Sequence, residues 1–376
     1  MSLLGLHFNL QIGPTVPVPV PEAIISAVQS VEVTHKDDGR SGFQIVLSLR
    51  RGPADYQDYA LLQDPLIEVG NRVVMGLTVA GVPSVLFDGF ITNQQFKPSM
   101  TPGTSTLTLT GEDASYQMDL EELPTEHPSM SDDQIVTEII GKYANIGVVA
   151  QVTKPDGAAQ PTEDERTSGQ QGTDYKLLTD LATRYGFAFY VVPGPTSGVS
   201  TAVWGPPVRE GSPQAALSMN LGAETNLDSI DFTVDGVAAT LFKGRVQDRT
   251  DNSAVDISTS SLSRSTLASA DALRLARIRA FRQSGADGAQ AQAEAQAQTD
   301  ASVAAAVTAT GELDTGRYGG ILQARRLVDV RGVGFLFDGT WYVKSVTHKI
   351  ARGSYKQSFA LAREAKGSTS STATTQ

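Results

Sequence analysis

One four-residue string occurs twice in this chain, each time ahead of the same kind of pattern. Leu86-Phe87-Asp88-Gly89 leads into Ile91 and Thr92, a polar break, and Thr106-Leu107-Thr108-Leu109-Thr110. Leu336-Phe337-Asp338-Gly339 leads into Trp341-Tyr342-Val343, a polar break, and Gln357-Ser358-Phe359-Ala360-Leu361. The copies lie too far apart for one hairpin, so the repeat predicts two similar small β-modules. Asp88 and Asp338 are expected to begin equivalent turns, with Gly89 and Gly339 supplying positive φ.

A length of 376 residues predicts two to three domains, and 40% hydrophobic with 19% charged residues is ordinary for a globular protein. The chain has no cysteine, which excludes disulfides, a thiol nucleophile and thiolate-bound metal. A formal net charge of −11 argues against bulk nucleic-acid binding, which needs Lys and Arg to neutralise phosphate. Met1 to Leu10 has no basic, apolar signal pattern, and no run reaches the ~18 apolar residues of a membrane helix. These readings place the chain in the cytosol.

Val16-Pro17-Val18-Pro19-Val20-Pro21 reads as an extended arm, either a stiff spacer or a segment lying on a neighbouring subunit. Phe43, Ile45, Leu47 and Leu49 alternate with polar residues, as do Val73, Met75, Leu77 and Val79, which predicts strands. Ser131 and Gln134 form a capping-box signature before a helix with Ile135, Val136, Ile139, Ile140 and Tyr143 on one face. Residues 151–172 read as a polar loop. Thr173 caps a second helix, stopped by Gly186, which feeds the strand Phe187–Val192. Helices are expected over about 269–282, with Arg274, Arg277, Arg279 and Arg282, and over the Ala- and Gln-rich 287–310. Strands are expected at Leu327–Val330, Phe335–Phe337, Trp341–Val346 and Ser354–Leu361.

Candidate chemistry is sparse. His7, His35, His127 and His348 show no metal-ligand spacing, and neither a GxSxG elbow nor a Walker A loop is present. Gly332-Val333-Gly334 lacks the third glycine of a dinucleotide fingerprint. Glu121-Glu122 and Asp132-Asp133 could serve acid–base or glycosidase chemistry. Asp132 and Asp133, however, fall in the first turn of a capped helix, where negative charge favours the dipole. No catalytic, cofactor-binding or metal residue is assigned.

Two longer segments are more specific. Thr173-Asp174-Tyr175-Lys176-Leu177-Leu178-Thr179-Asp180-Leu181-Ala182-Thr183-Arg184-Tyr185-Gly186, followed by Phe187-Ala188-Phe189-Tyr190, resembles a stretch of phage baseplate hub proteins. It is similar also to the hub half of type VI secretion spike proteins. Arg331-Gly332-Val333-Gly334-Phe335, then Asp338-Gly339-Thr340-Trp341-Tyr342-Val343 through His348, and Gly353-Ser354-Tyr355 resemble the closing signature of the phage late control D family. Leu109-Thr110-Gly111-Glu112-Asp113-Ala114 resembles hubs of extracellular contractile injection systems. The motif residues are Leu86, Phe87, Asp88, Gly89, Asp174, Tyr175, Leu178, Leu181, Ala182, Gly186, Leu336, Phe337, Asp338, Gly339, Tyr342, Val343 and His348.

The resemblance implies an α+β, mainly β, fold: two similar β-barrel-like hub modules, a middle α+β domain and a helical insertion. The expected boundaries are 1–120 for the first module with its Pro-rich arm and 121–228 for the middle domain. They continue with 229–260 for the start of the second module, 261–314 for the helical Ala/Gln-rich insertion, 315–366 for the rest of that module and 367–376 for a disordered tail. The implied function is a structural baseplate hub of a contractile phage-tail-like injection system. A homotrimer would join the hexameric inner tube to a separate trimeric spike, beside other baseplate proteins and with cargo in the lumen as an option. No enzyme activity, cofactor, nucleic-acid specificity or membrane segment is implied. The location is the bacterial cytoplasm during assembly, then the baseplate of the particle. The alternatives are a baseplate-associated peptidoglycan hydrolase using carboxylates such as Glu121 or Asp133, and a carbohydrate-binding β-protein.

Overall fold

The computed structural model describes residues 2–3, 6–50, 59–101, 103–156, 167–248, 252–283 and 287–369. The N-terminal part is β1 (Ser2–Leu3), β2 (Leu6–Gly13), β3 (Val18–Pro19), helix α1 (Glu22–Ala27), β4 (Val28–Lys36), β5 (Gly42–Leu49), β6 (Arg72–Val79), β7 (Val82–Lys97) and β8 (Ser105–Asp113). Alternation decides the faces: Phe43, Ile45, Leu47 and Leu49 of β5 are buried, as are Leu107 and Leu109 of β8. Burying each such side chain contributes about 1.5–3 kcal/mol, so a one-residue slip would be costly.

The Pro-rich segment pairs within the chain and is not a free spacer. It turns back on its own chain, with Val18 opposite Ile12, Pro19 opposite Gln11, and the Val20 amide donating to Leu10 O at 3.1 Å. Alternating valines supply the donors that proline lacks, which suffices for an edge strand.

The middle part contains β9 (Thr125–Pro128), α2 (Asp132–Gly141), β10 (Val148–Val152), β11 (Thr167–Gln170), α3 (Asp174–Tyr185), β12 (Ala188–Pro193) and β13 (Ser200–Gly205). The Ser131 capping box is present, and Ile135, Val136, Ile139 and Ile140 are buried against Leu178, Leu181 and Trp204. The expected loop over 151–172 is corrected in part. Residues 167–170 pair with β9, a distant backbone partner that local polarity could not reveal, and 157–166 lie outside the described residues.

The C-terminal part is β14 (Gln214–Ser218), β15 (Leu227–Val234), β16 (Thr240–Gln247), β17 (Ala254–Ser258), β18 (Arg277–Phe281), α4 (Gly288–Val303), β19 (Val307–Asp314), α5 (Thr315–Tyr318), β20 (Leu327–Arg331), β21 (Gly339–Ala351) and β22 (Ser354–Arg363). β15 and β19 pair directly, and the Asp235 amide donates to Ala306 O at 2.8 Å, so residues 236–305 are an excursion whose two ends meet. This excursion has its own sheet, β17-β16-β18, and its own core of Val246, Ile257, Phe281, Ala291 and Ala295.

Several expected boundaries move accordingly. The segment 269–282 is not a helix: its last residues form β18, parallel to β16, where Ile278 and Phe281 suit a strand. The Ala/Gln helix ends at Val303, and 307–314 is a strand of the large sheet. The insertion is therefore neither helical throughout nor bounded at 261–314, and β16 and β17 belong to it instead of the second module. Phe335 and Leu336 are exposed turn residues, because Gly334 at φ 98° breaks the strand. The tail is ordered further than expected: Gly367 N–H donates to Leu336 O at 2.9 Å and Ser368 bridges to Ala268, while 370–376 lie outside the described residues.

Two sets of six strands share one pairing order within the large, mostly antiparallel sheet. The first runs β2-β6-β7-β8-β5-β4 and the second β14-β20-β21-β22-β19-β15. They are joined because β4 also pairs with β21, antiparallel, from Ser30 opposite Ala351 to Lys36 opposite Ser345.

Candidate assembly surface

The correspondence between the two strand sets reaches individual residues. β4 has a bulge between Val28 and Ser30 against β5, and β15 has one between Leu227 and Ser229 against β19. β7 has a bulge between Ile91 and Asn93, and β21 has one between Val343 and Ser345. Ahead of β6, Gly70 at φ 92° donates its N–H to Ile91 O at 2.8 Å; ahead of β20, Arg325 at φ 65° donates to Val343 O at 2.7 Å. Bulges are positional devices, so matched bulges fix a residue-level alignment.

That alignment displaces the four-residue repeat. Gly89 faces Val73 and so corresponds to Trp341, which faces Val328; Gly339 corresponds to Phe87. The two strings are thus two residues out of step, and the expectation of equivalent turns is corrected. Leu86, Phe87, Asp88 and Gly89 sit inside β7, where Gly89 has no positive φ. Gly89 is required by space: a Cβ there would lie 2.1 Å from Glu112 O. Leu336, Phe337 and Asp338 form the turn before β21, and Gly339 does adopt φ 109°.

Asp88 is almost fully buried and clamps the first sheet to the middle part. It accepts from Arg72 Nε at 2.6 Å and Nη2 at 2.9 Å and from Gly198 N–H at 3.2 Å, while Arg72 Nη1 donates to Ile146 O at 2.7 Å. Asp174 is a second buried acceptor, taking bonds from Gln170 Nε2 at 2.7 Å and Tyr143 Oη at 2.9 Å. Arg40 stacks over the Tyr175 ring at 4.2 Å. Leu178, Leu181 and Ala182 are core residues, and Gly186 at φ 65° closes α3 against Ala297 of α4. Phe337 stacks on Phe232 at 4.5 Å, and Asp338 accepts from Val333 N–H at 2.9 Å. Arg363 lies over Trp341 and donates to the Asp338 carbonyl, while Tyr342 and Val343 are buried.

The β4–β21 seam carries an unusual set of titratable groups. The His35 and His348 rings lie 5.7 Å apart across it, and His348 Nδ1 bonds to Tyr355 Oη at 2.9 Å. His35, half-buried at the edge of a cavity of about 710 Å³, is pushed down to about 4 by desolvation and then by Arg325. His348 is held well below the ordinary histidine range by burial and then by His35. Nearby, burial raises Asp37 to about 6 despite Lys344, and burial raises Asp113. A buried neutral histidine contributes stability above pH 6.5 that is lost as pH falls, because the unfolded chain binds the proton first. Raised carboxyls act oppositely: they relieve a cost as pH falls below their folded pKa. The clean readout is therefore a difference. His348→Gln is expected to lose less stability than wild type between pH 6.5 and 4, by at most about 1.4 kcal/mol per pH unit. Parallel urea titrations at several pH values measure it; identical pH slopes would contradict the buried-neutral assignment.

The acidic pairs weighed for catalysis lie apart from this cavity, whose lining includes Tyr190, Arg325, His35 and His348 but no carboxylate. Asp132 pairs with Arg184 at 2.6 Å and accepts from Tyr185 Oη at 2.7 Å, which ties α2 to the end of α3. Asp133 occupies the first turn of α2, and Glu121 and Glu122 are exposed. Among the described residues no group of three or more His, Asp or Glu is placed to hold a metal ion, and no helix is long and apolar enough to cross a membrane. The buried pairs Arg72–Asp88 and Arg209–Glu364 were missed from sequence, since their partners are unremarkable single charges.

This arrangement is a phage-tail fold. A tail protein from Neisseria meningitidis MC58 superimposes with a TM-score of 0.64 at 14% identity, over 94% of this chain and 96% of that one. The 43 kDa tail protein of prophage MuSo2 from Shewanella oneidensis gives 0.61 at 14% identity, over 96% and 98%. An Escherichia coli component of the type VI secretion system, described as structurally similar to the T4 bacteriophage tail proteins gp27 and gp5, gives 0.55 at 12%, over 89% and 73%. Residues 22–352 match the family model of the Alg8 N-terminal domain, and the chain belongs to that family. No curated protein matches the sequence.

Proposed function

We propose that this chain is a structural baseplate hub of a contractile phage-tail-like injection system, of the late control D type. A homotrimer would form an adaptor between a hexameric inner tube and a trimeric spike. The observation that carries this reading is the repeated six-strand order, joined edge to edge at β4–β21. Two β-barrel-like modules per chain turn three chains into six similar surfaces, which matches a hexameric tube while keeping three-fold symmetry for a spike. The middle part and the 236–305 excursion would face other baseplate proteins, and assembly would take place in the bacterial cytoplasm. The fold relatives support the class, and the reading includes no catalytic step.

Deleting the gene is expected to abolish assembled particles, and the purified protein is expected to co-purify with the co-encoded tube and spike proteins. Normal particles without it would overturn the reading. Cell-wall clearing by the purified protein, lost in Glu121→Gln or Asp133→Asn, would replace the hub with the hydrolase.

A further inference from the structure

Two of the unpaired strand edges in the large sheet are the counterparts of two edges that pair within the chain. β15 ends the large sheet, and its outer edge has no partner; nor has the outer edge of Asn93–Lys97 in β7. By the matched bulges, β15 corresponds to β4, and the second half of β7 corresponds to the part of β21 that pairs with β4. Exposure follows the same logic. Val31 and Val33 of β4 are 2% and 0% exposed beneath the seam, whereas their counterparts Ile230 and Phe232 are only half-buried. Asn93 to Lys97 are all exposed, with Phe96 at 38%.

We propose that β15 of one copy pairs antiparallel with Asn93–Lys97 of the next copy, repeating the β4–β21 seam between chains. This rests on the trimeric reading above and deepens it by naming the joint. The seam's own register specifies the partners. Thr34 opposite Thr347 becomes Thr233 opposite Gln95, Val33 opposite His348 becomes Phe232 opposite Phe96, and Glu32 opposite Lys349 becomes Asp231 opposite Lys97. The charge pair keeps its sense across the joint, and the central pair becomes two aromatic rings on otherwise open edges. Pro98 would fall opposite Ile230, where its missing N–H ends the ladder. Donor and acceptor edges differ, so the contact is head-to-tail: three copies close a ring in which in-chain and between-chain seams alternate.

The chain has no cysteine, so an introduced pair reports on one contact alone. In the intact seam the Thr34 and Thr347 hydroxyls approach to 3.0 Å, close enough for a disulfide at that position. Gln95→Cys/Thr233→Cys is expected to give disulfide-linked trimers on a non-reducing gel after mild oxidation, and neither single variant should. Thr34→Cys/Thr347→Cys is the control and should close within one chain. Light scattering gives the uncrosslinked mass. A trimer whose Gln95/Thr233 pair stays open while the control closes overturns the seam and leaves the trimer standing. A chain that remains monomeric overturns the trimeric reading and the seam with it. Asp231→Lys should weaken association about tenfold, and adding Lys97→Asp should recover it; no recovery counts against the register.

Discussion

Asp88→Ala is expected to lower the stability of the folded chain by about 3–5 kcal/mol, since breaking one partner of a buried ion pair leaves the other charge uncompensated. The side chain of Asp88 is 0% exposed and that of Arg72 is 4%, so water cannot replace the lost carboxylate. The loss would also be local. Asp88 accepts from Gly198 N–H, and Arg72 reaches Ile146 O, so the joint between the first sheet and the middle part should loosen before either core melts. Urea unfolding followed by hydrogen exchange at Gly198 measures both effects. Arg72→Met/Asp88→Leu, which removes both charges, should recover much of the stability. An Asp88→Ala protein as stable as wild type, with Gly198 still protected, would contradict the clamp.

Gly89→Ala is expected to cost about 3 kcal/mol or more, a large effect for one methyl group. Its added Cβ would lie 2.1 Å from Glu112 O and 2.9 Å from Asp113 Cα, both backbone atoms of the neighbouring strand that cannot swing away. The contrast is Gly81, at φ 82° in an open turn with nothing within 4 Å of an added Cβ. Gly81→Ala should cost only the left-handed backbone penalty, about 1–2 kcal/mol. Thermal unfolding of the two variants side by side separates steric from conformational demand. Equal, small losses would remove the close-approach account of Gly89.

The sequence made the strands and two helices of the middle part legible because their signals are local. The Ser131 capping box, the Thr173 cap and the Gly186 stop all act within a few residues, and each appears where expected. The shared strand order was legible only through a misleading clue. The Leu-Phe-Asp-Gly strings are out of step in the backbone, whereas the correspondence lies in bulges and in the Gly70 and Arg325 turns, where the residues mostly differ. The excursion at 236–305 was misread for a related reason. Arg277–Phe281 carries helix-compatible residues and becomes a strand only because β16 lies beside it. The seam was likewise invisible: nothing in Val28–Lys36 announces that its outer edge is claimed by a strand from the far end of the chain.

The most direct measurement of the hub reading is the position and number of this chain in an assembled particle, by electron microscopy of particles carrying it. The account predicts three copies at one end of the tube, between tube and spike, with six similar β-modules meeting the last tube ring. Copies distributed along the tube, or a copy number other than three at its end, would contradict it.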